Sequence, residues 1–129
     1  MGAPGPLAGA ALVGLGGAAG AAARYGVVRV AARRGGAQAW AVTAINLTGS
    51  AALGGLYAMP GVGAGGRLLF GMGVCGGFTT FSTYAVESLR HWQAGRLSLL
   101  AMHLFLNAFG CPVAALLSGT YVRSIMDLI

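Results

Sequence analysis

Residues 76–84 read GGFTTFSTY, and they concentrate the polar chemistry of an otherwise apolar chain. Thr79, Thr80, Ser82 and Thr83 bring four hydroxyls, interleaved with Phe78, Phe81 and Tyr84. Gly76 and Gly77 are weak helix formers, and short hydroxyl side chains compete for backbone groups, so this spacing predicts a helix broken near its middle. A break frees carbonyls, which at membrane depth must be taken up by protein, water or an ion, and carbonyl oxygens suit a hard cation such as Na⁺. Phe81 and Tyr84 stand three apart and share a helical face. With their positive ring edges turned inward, beside hydroxyl and amide donors, they make an environment for a small anion.

Two other stretches carry polar groups with no evident structural need. TAINLTGS (43–50) sets Thr43, Asn46 and Ser50 near one helical face. The Asn46 amide donates two hydrogens and accepts at its oxygen. It either forms an interhelical bond worth about 1 kcal/mol or lines a pathway. In GGAAGAAARY (16–25), Arg24 lies inside an apolar run or at its edge. Its charge either snorkels to the headgroups or sets a positive potential in an aqueous vestibule that attracts anions.

Composition says what must hold these residues in place. Of 129 residues, 57% are hydrophobic and 8% charged, and the mean hydropathy is +0.76. That is a bilayer composition. Punctuation cuts the chain into four apolar segments at about 7–30, 39–59, 67–89 and 97–122, each near the roughly 20 residues a membrane-crossing helix needs. Arg33, Arg34, Gly35 and Gly36 close the first, Pro60 and GVGAGG follow the second, and Arg90, His91 and Trp92 end the third. Pro112 should kink the fourth rather than end it. The first segment lacks the basic start of a signal peptide and stays apolar too long for one. The expectation is a single all-α integral membrane domain spanning residues 1–129.

Small residues are spaced for close helix packing: Gly16 with Gly20, Ser50 with Gly54, and a stripe of Asn107, Cys111, Ala114 and Ser118. Cys75 and Cys111 read as small buried hydrophobes rather than a disulfide. All eight basic residues are arginines, against two acids, Glu87 and Asp127. They fall between apolar runs, so lipid headgroups are their neighbours and nucleic acid is not. Two acids do not make a carboxylate metal site, and no nucleophile–base–orienter set is present, which argues against an enzyme.

Together, GGAAGAAARY, TAINLTGS and GVCGGFTTFSTYAVE, in this order along most of the chain, closely resemble the CrcB/Fluc family of fluoride channels. The resemblance implies four-helix subunits paired as an antiparallel dual-topology dimer, with two narrow fluoride pores and a structural Na⁺ at the interface. By motif position it implies that backbone carbonyls of Gly76 and Thr79 from both subunits hold the Na⁺. Asn46 takes the place of the pore asparagine and Phe81 that of the first ring of the phenylalanine box. Thr80, Ser82 and Thr83 supply hydroxyls near a polar track, and Glu87 matches the acid closing the motif. Passive fluoride export across a bacterial inner membrane, relieving fluoride toxicity, is the implied role.

Three positions depart from the family pattern. Tyr84 stands where the second phenylalanine is usual, and its hydroxyl adds a donor or a trap. His103, one turn before Asn107, stands where relatives often carry tyrosine; it is either a pathway residue or a core histidine bonded to a neighbouring helix. Finally, Arg29, Arg33, Arg34, Arg90 and Arg96 lie on one side against Arg67 and Arg123 on the other, a bias that predicts cytoplasmic linkers. A homodimer of dual topology should show little bias, so either a paralogous subunit of opposite bias completes a heterodimer or the bias is too small to fix orientation. A four-helix, proton-coupled multidrug exporter is the competing class. It needs a carboxylate deep in the membrane; the first two helices hold none, and Glu87 lies near the end of its helix.

Overall fold

The computed structural model describes residues 2–35 and 38–128, which are helical throughout with short connections. Gly36, assigned above to the basic linker, lies outside the described residues. Helix α1 is Pro6–Arg33, with proline in its first turn, where the missing N–H costs nothing. Helix α2 is Gln38–Ala58. Helix α3 covers residues 64–78 and includes a wide-turned π-helical stretch, Arg67–Cys75. Thr79 and Thr80 are extended, and α4 follows at Phe81–Gln93. Helix α5, Leu97–Met126, is continuous. Pro112 offers no N–H to the Ala108 carbonyl, and the turn just before it, Leu106–Gly110, widens to π geometry. Gly61 (φ +83°) and Gly95 (φ +67°) reverse the chain before α3 and α5.

Helices α1 and α5 are each long and apolar enough to cross a membrane. The chain exposes 7980 Å², against about 6300 Å² for a compact soluble monomer of its mass. The excess is apolar: Leu7, Leu15, Phe70, Phe81, Leu116 and Tyr121 are all more than half exposed. Lipid or a protein partner must cover such a surface.

Helix α2 lies at the centre and touches α1, α3, α4 and α5. Its first half supplies the apolar core, with Val42 and Ile45 fully buried beside Ala39 and Ala41. Helix α1 packs on α3 through glycines, Gly16 facing Gly73, Gly17 facing Gly77, and Gly20 lying on the backbone from Val74 to Phe78. A Cβ on Gly16 would lie 2.9 Å from the Gly73 Cα, and one on Gly20 would lie 2.7 Å from the Phe78 amide nitrogen. Two backbones touch here with no side chain between them, the close approach that helices without a hydrophobic driving force use. On the other side of α2, Gly54 lies on the Ala115 backbone and Gly55 under Ser118.

Candidate functional site

Thr79 (φ −72°, ψ 158°) and Thr80 (φ −150°, ψ 124°) are extended, so the helical ladder stops and its groups find other partners. The Thr80 N–H turns away from the Gly76 carbonyl, its helical acceptor, and donates instead to Asn46 Oδ1 at 2.9 Å. Asn46 Nδ2 donates back to the Thr80 carbonyl at 3.1 Å. The α2 amide therefore holds the extended residue from both sides, as a strand partner would. Arg24 Nη1 donates to the Thr79 carbonyl at 3.3 Å. This half-buried arginine reaches into the protein rather than out to the headgroups.

Thr80 is also the N-cap of α4: its Oγ1 accepts from the Thr83 N–H at 3.3 Å and lies 3.1 Å from Thr83 Oγ1 and 3.3 Å from Ser82 Oγ. Thr80→Val keeps the shape and removes the cap. We expect it to lower stability by about 1 kcal/mol, read as an earlier loss of the folded peak on heating in detergent.

From Asn46 the network runs along α5. Asn46 Nδ2 donates to Asn107 Oδ1 at 2.8 Å, and Asn107 Nδ2 donates to the His103 carbonyl at 2.8 Å and to Thr43 Oγ1 at 3.2 Å. Thr43 Oγ1 lies 2.9 Å from His103 Nδ1. The Tyr84 ring packs on the His103 ring, centroids 5.1 Å apart, and on Phe81 at 5.6 Å. Asn46, Thr80, Phe81, Tyr84 and Asn107 line an open groove of about 840 Å³ between α2, α3 and α5, together with Gly76 and Thr79. Phe81, 79% exposed, stands at its rim.

The structure thus gathers Thr43, Asn46, Thr79, Thr80, Thr83, Tyr84 and His103 into one connected set, with Arg24 behind it. Ser82 is attached but exposed. Glu87 is apart from the groove: it is buried and paired with Arg90 at 2.5 Å. Two expectations change. Cys75 and Cys111 are free but only half-buried, because both line the groove. Asn107, assigned above to a small-residue packing stripe, is the hinge of the network, and an amide in an apolar run was the signal for it, as for Asn46.

A helical chain with a half-buried amide–hydroxyl network along one groove and an apolar outer face has the make-up of a membrane protein, and its described residues hold no catalytic set. Residues 11–120 match the family model described as CrcB-like protein, Camphor Resistance (CrcB), and the chain belongs to that family. It is 41% identical over 118 residues to the fluoride-specific ion channel FluC of Koribacter versatilis, covering 88% of this chain and 94% of that one. It is also 41% identical over 110 residues to FluC 2 of Haloarcula marismortui, covering 85% and 87%, and 45% identical over 80 residues to FluC 1 of Rhodococcus jostii, covering 62% and 60%.

Proposed function

We propose that this protein is a fluoride-selective channel that exports F⁻ passively across the bacterial plasma membrane, working as an antiparallel dual-topology homodimer. In this reading α3 and α4 are the two halves of one broken third span, and α1, α2 and α5 are the other three. The observation that carries the reading is the Asn46–Asn107–Thr43 track, in a chain 41% identical to a relative named as a fluoride-specific channel.

Fluoride is small and strongly hydrated, so passage requires donors that replace its water one after another without holding it too tightly. Both Asn46 Nδ2 hydrogens are already engaged, by Thr80 and Asn107. An arriving anion must displace one of these acceptors, and that competition keeps the site weak enough to release the ion. The Thr83 and Tyr84 hydroxyls and the ring edges of Phe81 and Tyr84 extend the same donor surface, and Arg24 biases it towards anions.

A structural Na⁺ at the subunit interface belongs to the same proposal. The Gly76 carbonyl has lost its helical donor, and the Thr79 carbonyl keeps a lone pair beside its long bond from Arg24. Two such oxygens from each of two subunits form a donor set of the kind hard cations take. An ion at saturation would add about 2–4 kcal/mol. Exchanging Na⁺ for a large organic cation should therefore lower the apparent melting temperature of the purified dimer, whereas an unchanged melting temperature would remove Na⁺ from the structure.

The test of the function is fluoride efflux from liposomes containing this chain alone, followed with a fluoride electrode and repeated with chloride. Fast, fluoride-selective efflux establishes a homodimeric channel. Silence from a folded sample rejects the homodimer and favours pairing with a paralogous subunit of opposite charge bias; proton-driven movement of organic cations instead would establish the exporter.

A further inference from the structure

His103 is 3% exposed, and its Nε2 has no hydrogen-bond partner. A buried polar atom without a partner costs about 1–3 kcal/mol, so it calls for an explanation. The Tyr84 carbonyl lies beside the imidazole and accepts from Ser88 Oγ at 2.8 Å, but it makes no bond of hydrogen-bond geometry with Nε2. What the ring does border is a cavity of about 10 Å³ enclosed by Ala39, Trp40, His91, Leu99 and His103. That is close to the space one water needs, and a fluoride ion is close to water in size, whereas chloride is larger. The His91 and His103 rings meet edge to face, centroids 5.9 Å apart.

The place of this cavity matters as much as its size. Ala39 and Trp40 open α2, Leu99 opens α5 and His91 lies in the last turn of α4, so the cavity is at one end of the bundle. Arg34, Arg90 and Arg96 belong to the same end. It also continues the polar track, because His103 Nδ1 is bound to Thr43, which is bound to Asn107 and through it to Asn46.

The Thr43 hydroxyl sets what Nε2 can do. Its single hydrogen goes either to the Ala39 carbonyl at 3.1 Å or to His103 Nδ1 at 2.9 Å. In the first arrangement Nδ1 carries the imidazole proton and Nε2 is bare. In the second, Nε2 carries the proton and is a donor without a partner, on a ring that borders the cavity. The other titratable groups around the ring, Tyr84, Glu87 and His91, all come from α4.

We propose that the cavity between His91 and His103 is a second fluoride site, the last on the track before the ion meets the arginines at the end of the bundle. The proposal rests on the fluoride-channel reading above. It gives His103 a task that packing alone leaves undone, and it assigns His91 a role outside the sequence motif.

The chain has only two histidines, so ¹⁵N-histidine labelling of the purified protein puts both imidazole probes at this site. Titrated with sodium fluoride at millimolar concentrations, the imidazole nitrogens of both residues should shift and saturate, and sodium chloride should leave them in place. His91→Ala changes a half-exposed side chain in the last turn of α4, and it should weaken the His103 response about tenfold. His91→Gln, which restores a donor, should recover most of it. Resonances unmoved by fluoride, or moved equally by chloride, overturn the site. A full His103 response in His91→Ala also overturns it, since the ring would then only be reporting an ion bound near Asn46. Saturating fluoride shifts in a chain that fails to conduct would uphold the site and overturn the channel.

Discussion

Replacing Asn46 with aspartate should abolish fluoride efflux, lowering the rate at least about 100-fold while chloride stays excluded. The change is nearly isosteric, but it exchanges an N–H₂ for an oxygen opposite two acceptors, the Thr80 carbonyl at 3.1 Å and Asn107 Oδ1 at 2.8 Å. Each acceptor that loses its donor costs about 1–3 kcal/mol, and a fixed negative charge repels the permeating anion directly. Asn107 cannot relieve the clash by turning its amide over, because both of its N–H groups are held by His103 and Thr43. The efflux assay needs a companion measurement, the size-exclusion profile, to separate a silent folded channel from an unfolded one. Wild-type efflux from folded Asn46→Asp would place the pathway elsewhere. A transporter of organic cations, by contrast, would tolerate or gain from the added carboxylate.

The second large effect is structural. Gly20→Ala should destabilise the protein by about 3 kcal/mol or more and abolish the folded peak after mild heating. The added methyl would overlap the Val74 carbonyl, lie 2.7 Å from the Phe78 nitrogen and lie 3.0 Å from the Gly77 carbonyl carbon. All three are backbone atoms, so no rotamer can yield, and the helices must part. A matched change on the same helix supplies the contrast. Gly14 and Gly26 have open space around the position of a Cβ, and alanine is the better helix former by about 1 kcal/mol. Gly14→Ala and Gly26→Ala should therefore leave the melting temperature unchanged or raise it. If all three variants melt together, α1 does not pack on α3 through this seam.

How much of this was readable beforehand depends on the range of each interaction. Apolar runs and their glycine, proline and arginine punctuation act locally, so they can be read along the chain without knowing what packs on what. The weakness of GGFTT as helix is equally local, a matter of glycine entropy and hydroxyl competition at Thr79 and Thr80. Partnerships are another matter. Asn46 and Asn107 are 61 positions apart, and Arg24 and Thr79 are 55 apart; no periodicity links them. Charge alone asked for a partner, a wet cavity or a route to the headgroups for Arg24 without saying which, and its actual acceptor exists because the backbone is extended two helices away. Gly73 and Gly77 were hidden differently. They lie within and beside a motif whose glycines were read as helix weakeners, and their packing role appears only once Gly16 and Gly17 face them.

The glycine seam has a further consequence for the depth of the site. Side chains that interdigitate can creep, each rotamer giving a little, but bare backbones meshed at positions four apart have no such slack. Their next register is a full tooth away, about 6 Å along the axis at 1.5 Å per residue. The hydrogen bonds that hold Thr79 and Thr80 fail within a fraction of that distance. Helices α1 and α3 therefore work as a ratchet with one usable notch, which fixes the level of the extended threonines against Arg24 and Asn46. A site indexed in this way has no fine adjustment along α1, so the level of the extended threonines is set once, when the chain folds.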